Sequence, residues 1–287
     1  MALEVKNLTH IYNKGTSLEH IAVNDVSLTV GDGEFVGVIG HTGSGKSTLM
    51  QHLNGLLKPD SGEILVDGEA LHSKGVVMKK IRFKVGMVFQ YPEYQLFEET
   101  VHEDVAFGPK NMGISGDELH RKVRKAIELV GLDFDSIRDA SPFELSGGQK
   151  RRVAIAGVLA MEPQYLILDE PTAGLDPKGR EDILKVVQNF HVTQKMAVIL
   201  VTHRMEDIAT FADRILVINK GKIDMSGTPR EVFRNTERLE QVGLGVPEVT
   251  KLTSIMEKEG LGDFHSLTVP ELRDKLLARL GKGGGNA

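Results

Sequence analysis

Eight consecutive residues, Gly40-His41-Thr42-Gly43-Ser44-Gly45-Lys46-Ser47, spell G-x-x-x-x-G-K-S. The run before them, FVGVI, is apolar, and the run after, STLMQHLNGLL, has helical character, so the motif lies between a strand and a helix. A phosphate-binding loop needs that setting. Glycines let backbone N–H groups close on phosphate oxygens, and the helix N-terminus adds partial positive charge. Lys46 can reach the terminal phosphates of a nucleotide, and the Ser47 hydroxyl can ligate Mg²⁺. The plain alternative, a glycine-rich turn that happens to carry a lysine, is disfavoured by the flanks.

A second pattern is Tyr165-Leu166-Ile167-Leu168-Asp169-Glu170. An apolar strand ending in two carboxylates puts both at the edge of a sheet where ligands of open α/β sheets bind. Asp169 fits a Mg²⁺ partner, directly or through water, and Glu170 fits a group that polarises an attacking water. A third pattern, Leu145-Ser146-Gly147-Gly148-Gln149, opens the helical run KRRVAIAGVLAME. It offers a second glycine-opened helix N-terminus and hence a second anion site. Taken alone, a simple cap by Ser146 explains it better.

The elements that must hold these groups are legible in outline. Glu34–Ile39, Val85–Phe89, Tyr165–Leu168 and Ala197–Val201 are continuous apolar runs, which suit strands covered on both faces in a parallel sheet. Leu3–Leu8, Val26–Val30, Glu63–Val66 and Arg214–Ile218 read as further strands, some in an antiparallel layer. Leu119, Val123, Ala126, Ile127 and Val130 recur at helical spacing after Ser115. Alternating strands and helices predict an α/β sandwich. Beyond Thr228-Pro229 strand signals stop. Residues 230–281 read as a small helical domain, with Leu272, Leu276, Leu277 and Leu280 on one stripe and Val249, Leu252 and Met256 on another. Residues 282–287 read as a flexible tail.

Composition narrows the chemistry. With no cysteine among 287 residues, disulfide scaffolds, thiolate metal sites and cysteine nucleophiles are excluded. Forty acidic against 35 basic residues give a net charge of −5, which does not advertise nucleic acid. The basic run Lys150-Arg151-Arg152 lies on the helix after LSGGQ, so a solvated face or a salt bridge explains it better than nucleic-acid binding. MALEVKNLTH lacks the apolar core of a signal peptide, and runs such as Met196–Val201 are far shorter than the roughly 20 residues of a membrane helix. A cytosolic chain is expected, meeting a membrane only through partners or its surface.

LSGGQ between a phosphate loop and LILDEP resembles the signature of ATP-binding-cassette ATPases. The remaining motifs of that family fall in order: Gln90 after VGMVF, Ala173-Gly174-Leu175-Asp176 after the acidic pair, and His203 after AVILVT. The resemblance covers most of residues 3–225. It implies a phosphate-loop NTPase fold with a mixed sheet core, an antiparallel layer and a helical signature subdomain at about 91–162, all within a nucleotide-binding domain of residues 1–229. It implies ATP and Mg²⁺ as ligands. Glu170, His203 and Gln90 would be catalytic, His203 as the γ-phosphate switch and Gln90 as the sensor of Mg²⁺ and the attacking water. Ser47, Gln90 and Asp169 would serve the metal. Nucleotide contacts would come from Tyr12, stacking on adenine, and from Gly40, His41, Thr42, Gly43, Ser44, Gly45, Lys46, Ser47 and Thr48. Ser146, Gly147, Gly148, Gln149 and Asp176 would act across a head-to-tail dimer, where the signature of one subunit completes the phosphate site of the other. For Tyr12 an ordinary strand-end tyrosine stays open.

Tyr94, Leu96 and Phe97 make the loop FQYPEYQLFEETV unusually apolar. They can turn inward and fill a gap, or meet a partner helix; physics leaves both open. That segment, with PFELSGGQKRRVAIAGVLAMEP, resembles the ATPases of energy-coupling factor transporters, vitamin and metal-ion uptake systems, especially their second A-component. The resemblance implies a second ATPase subunit (a paralogue, or a copy of this chain), a transmembrane coupling protein contacting about Tyr94–Val101, and small substrate-binding membrane proteins. It places the chain on the cytoplasmic side of the cell membrane as a peripheral subunit, its C-terminal helices reinforcing dimerisation. An ATPase of a conventional importer, for amino acids or metal ions, is the alternative. A chromosome or repair ATPase would need a long coiled coil between Lys46 and Ser146, a tandem translation-type cassette would need a second phosphate loop, and a degenerate subunit would lack Glu170 or His203.

Overall fold

The computed structural model describes residues 2–283. Two sheets and a helical subdomain share two hydrophobic cores. One sheet is antiparallel, built from β1 (Ala2–Tyr12), β2 (His20–Gly31), β4 (Ser61–Val66) and β5 (Glu69–Ala70) in the order β2-β1-β4-β5. The other contains β3 (Phe35–Ile39), β6 (Val85–Val88), β7 (Tyr165–Asp169), β8 (Ala197–Val201), β9 (Arg214–Asn219) and β10 (Lys222–Gly227) in the order β10-β9-β3-β8-β7-β6. Its strands pair in parallel except β10, which returns antiparallel to β9. The half-buried, weakly apolar strand β10 gave no signal in the sequence.

The continuous apolar runs have a direct cause. On β7, Leu166 and Leu168 enter the core under the helices, while Tyr165 and Ile167 enter the core against the antiparallel sheet. On β8, Val198 and Leu200 point one way and Ala197, Ile199 and Val201 the other. A strand buried on both faces has no reason to alternate.

The helices are α1 (Lys46–Leu53), α2 (Met78–Lys84), α3 (Val101–Asn111), α4 (Gly116–Leu129), α5 (Phe134–Ile137), α6 (Gly147–Leu159), α7 (Pro177–Gln194) and α8 (Met205–Phe211). Thr100 caps α3 by accepting from the Glu103 N–H at 3.2 Å, and Ser146 caps α6 in a reciprocal box with Gln149. On α4, Leu119, Val123, Ala126 and Ile127 are all buried, the face that their spacing predicts.

A second capping box, Thr228 with Glu231, starts α9 (Pro229–Arg234), followed by α10 (Thr236–Gln241), α11 (Glu248–Lys258) and α12 (Val269–Gly283). This stretch divides. Val232, Phe233, Leu239, Val242 and Leu244 join the main core, whereas Val249, Phe264 and Leu272 form a separate small cluster. The leucine and α11 stripes are only partly buried: Leu272 is covered, but Leu252, Leu277 and Leu280 are exposed. The last helix also runs past residue 281, to Gly283, into the stretch read as a tail at 282–287; residues 284–287 lie outside the described residues.

Candidate active site

The parallel register brings three strand ends together. Val38 of β3 and Asp169 of β7 both pair with Val201 of β8, so the phosphate loop, the acidic pair and His203 leave the sheet at one edge. Both sheets press on the loop. A Cβ on Gly40 would lie 2.3 Å from the Ile218 carbonyl oxygen, and one on Gly45 would lie 2.2 Å from that of Ala22. Gly45 also has a φ of +102° and caps α1 without any side-chain bond, so the first N–H groups of α1 stay available to an anion. Around Gly43 there is open space.

Lys46 folds back into this cradle, its Nζ donating to the carbonyls of Gly40 and His41 at 2.7 and 2.9 Å. Burial pulls its pKa down, and the nearby charges of Glu170 and Asp169 push it back up. The Ser47 hydroxyl bonds the Asp169 carboxylate, whose pKa is raised by burial against the opposing effects of Ser47 and Lys46. A buried carboxylate beside a hydroxyl is an oxygen-only donor set short of positive charge, and it fits Mg²⁺. His41 lies between the Thr42 carbonyl (2.8 Å) and the Asn219 side chain (3.3 Å), which ties the loop to the end of β9.

Glu170 has the left-handed backbone of φ +50°. Its N–H donates to the Val201 carbonyl at 2.9 Å, and its carboxylate oxygens lie 2.9 and 3.1 Å from His203 Nδ1. An ionised carboxylate only accepts, so Nδ1 carries the proton and donates to Glu170. Tyr12, half exposed at the end of β1, reaches the Thr48 hydroxyl of α1 at 3.3 Å and meets the His10 ring edge to face at 4.5 Å. Gln90 is exposed just past β6.

The other site residues gather elsewhere. Ser146, Gly148, Gln149 and Asp176 line one cavity of about 450 Å³ with Lys178 and Asp182. Asp176 caps α7 by accepting from the Gly179 N–H at 3.2 Å. Added Cβ atoms on Gly147 and Gly148 would meet nothing within 4 Å. Bonding and cavity lining thus sort the residues into a walled phosphate cradle and an open glycine surface.

Two buried charged residues have partners that the sequence reading did not identify. Asp104, on α3, accepts from the N–H groups of Phe97 and Glu98 at 3.3 and 3.1 Å, holding the aromatic loop, and burial raises its pKa. Arg151, on α6, is 3% exposed and forms a two-pronged ion pair with Glu93. Their partners lie 6 to 58 residues away, so no local pattern marks them. The basic run is largely consumed internally, since Arg152 bonds Asp182 and the Val130 carbonyl.

A mixed sheet feeding a glycine-walled lysine loop, with an acidic pair one strand over, defines a phosphate-loop nucleotide hydrolase. The ABC transporter family model matches residues 23–173. An energy-coupling factor transporter ATP-binding protein of Clostridium tetani is 53% identical over 96% of this chain and 96% of its own length. The same-named protein of Caldanaerobacter subterraneus is 55% identical over 98% of both. Among solved structures, cbiO1 from Clostridium perfringens, described as part of an ABC transporter complex, superposes with a TM-score of 0.74 at 38% identity, covering 89% of this chain and 98% of that one. The cassette MJ0796, solved as a dimer bound to ADP and Pi, gives 0.72 at 30% identity over 79% and 98%. The chain belongs to the ABC transporter family, among the energy-coupling factor transporter ATP-binding proteins. It is an ATP-hydrolysing subunit of such a transporter.

Proposed function

We propose that this chain hydrolyses ATP at the β3–β7–β8 edge, as half of a head-to-tail dimer, to drive uptake of vitamins or other micronutrients through a transmembrane coupling protein. The observation that carries the chemistry is the Glu170 carboxylate, fixed by His203 at 2.9 Å beside Lys46 and Asp169. The phosphate loop from Gly40 to Thr48 holds the phosphates, and Tyr12 takes the adenine face. Ser47 and Asp169, with Gln90, would hold Mg²⁺, which neutralises charge on the β- and γ-phosphate oxygens when bound. Glu170 takes a proton from the attacking water as the water oxygen bonds to γ-phosphorus; the bond from γ-phosphorus to the bridging β-phosphate oxygen breaks, ADP and inorganic phosphate leave, and the proton passes from Glu170 to phosphate or solvent. His203 orients Glu170 and meets the γ-phosphate. Gly147 and Gly148 stand open for the partner's nucleotide, with Ser146, Gln149 and Asp176 around them, and the dimeric state of MJ0796 supports this pairing.

Glu170→Gln tests the assignment. It keeps the shape, removes the base, and is expected to cut turnover at least about 1000-fold while ATP now holds the chains as a dimer on a sizing column. Unchanged hydrolysis would remove Glu170 from this role.

The membrane partner is assigned to the groove beside the aromatic loop. Leu96 turns inward, but Tyr94 is 86% and Phe97 57% exposed, and Phe97 meets Phe107 edge to face at 4.9 Å. A groove of about 550 Å³ runs here between α2, α3 and α6, walled by Phe83, Leu96, Phe97, Phe107, Val158 and Met161. An apolar helix end of the coupling protein fits it. Among the described residues no helix is long and apolar enough to cross a membrane; docking on the coupling protein would hold the chain peripherally, on the cytoplasmic side. Phe97→Asp is expected to release the coupling protein in an affinity pull-down from solubilised membranes. Retention would move the contact elsewhere, and recovery of one dedicated permease instead would favour a conventional amino-acid or metal-ion importer.

A further inference from the structure

Arg151 occupies a position that the hydrolytic chemistry leaves unexplained. Its guanidinium is buried, and it donates from Nε and Nη2 to the two carboxylate oxygens of Glu93 at 3.0 and 2.9 Å. Glu93 belongs to the short 3₁₀ turn Pro92–Gln95, the turn that carries exposed Tyr94 and leads into Phe97. The remaining prong, Nη1, donates to the Ala173 carbonyl at 2.5 Å. The Ala173 N–H in turn donates to the Glu170 carbonyl at 3.2 Å. One side chain on the signature helix therefore clasps the turn whose last residue, Gln95, lines the groove, and the turn that holds the catalytic carboxylate.

Buried charge explains why such a clasp transmits position. A buried arginine is tolerated only while its donors stay paired, and a lost partner leaves desolvated charge behind. The guanidinium is planar and rigid, so displacing Glu93 rotates the plane that fixes the Ala173 carbonyl. Glu170 sits at φ +50°, a backbone that a non-glycine residue holds only when its surroundings impose it. The bond from Ala173 is part of that imposition.

We propose that Arg151 is a positioning residue that links occupancy of the aromatic groove to the orientation of Glu170. Docking at the turn Pro92–Gln95 shifts Glu93, and Arg151 passes the shift to the Asp169–Asp176 segment, setting the hydrolysis rate without touching nucleotide. The link to docking rests on the groove assignment made above; the tie between Glu93, Arg151 and the Glu170 turn does not.

Steady-state ATP hydrolysis by the full chain, with Arg151→Met, Glu93→Gln and the pair combined, separates the two. Arg151→Met is expected to lower kcat about tenfold with the KM for ATP within about twofold, since the bonds at stake are charge-assisted ones that orient rather than bind. Glu93→Gln is expected to lower it less, and the double variant to be no worse than Arg151→Met alone, because the residues act as one unit. Arg151→Lys, which keeps the charge and one bond, should recover part of the loss and guards against a fold defect in the methionine variant. Losses that multiply, or a raised KM at unchanged kcat, would overturn the positioning role. In the assembled transporter, Arg151→Met should retain the coupling protein in a pull-down yet lose its stimulation of hydrolysis. Stimulation at the wild-type ratio would overturn the relay. Retention of the coupling protein by the Phe97→Asp chain would refute the groove assignment while leaving the kcat result standing.

Discussion

Among the described helices that open on glycine, α1 and α6 are built in opposite ways. The N-terminus of α1 is walled in: Ala22 and Ile218 carbonyls stand where the Cβ atoms of Gly45 and Gly40 would be, and Lys46 is folded into the cradle by two carbonyls. The N-terminus of α6 is bare, with Gly147 and Gly148 facing open space and Ser146 and Gln149 bonding each other. The first glycines are small because their own chain crowds them. The second have no such need within the chain, so their smallness is room for something outside it. On the proposed reading, the crowded glycines shape the phosphate side of the site within the chain, and the open ones complete that of a partner subunit.

The sharpest way to break that contrast is a pair of alanines. Gly45→Ala meets backbone at 2.2 Å and takes a residue with a Cβ to φ +102°. It is expected to abolish ATP binding in a fluorescent-nucleotide titration and to cost at least about 2 kcal/mol of stability in urea. Gly148→Ala should leave both stability and nucleotide binding by the single chain unchanged within about 0.5 kcal/mol, yet lower dimer turnover by at least about tenfold. If Gly148→Ala destabilises the chain as Gly45→Ala does, the glycines of α6 serve the fold and the contrast fails.

The next effect belongs to the crowded side. His52 is fully buried in α1, and burial, reinforced by the charges of His10 and His72 and opposed by Asp60, pushes its pKa down to about 4. The unfolded chain takes up this proton near pH 6.5 and the folded chain only near 4, so stability falls as pH drops through that window. The loss amounts to about 3 kcal/mol once both forms are protonated. Between pH 7 and 4 the urea midpoint of wild type should fall further than that of His52→Leu, which lacks this proton uptake. Parallel curves would show that His52 contributes nothing to the linkage.

The smallest effect lies at the rim. Tyr12→Phe removes only the long bond to Thr48, and is expected to change the KM for ATP by less than about twofold, whereas Tyr12→Ala removes the ring and should raise it about tenfold. Equal effects from both would mean that the hydroxyl, rather than the ring face, makes the contact.

Much of the site was legible because its chemistry is local. The phosphate loop and the acidic pair on β7 each lie within a few residues, where a strand end or a helix start dictates geometry; the glycines of α6 read locally as no more than a cap by Ser146, and became a site only through the family resemblance. The long-range contacts were not legible. For the run holding Arg151 the sequence offered a solvated face or a salt bridge, and the structure makes it a salt bridge, but the acidic partner lies 58 residues earlier on a turn no periodicity marks. The aromatic loop left inward and outward packing open; the structure splits it, burying Leu96 and leaving Tyr94 and Phe97 exposed, because Asp104 pins the loop backbone from α3. The C-terminal stretch read as one helical unit, and packing divided it between the main core and a small cluster of its own.

The sequence by itself determined the nucleotide chemistry, the parallel strands and the order of the motifs, since these follow from residue type, periodicity and short spacing. Only the tertiary structure decided which charges are buried, which aromatics face outward and which glycines are crowded. Those depend on what distant segments bring to the same place, and burial then sets the worth of every bond made there.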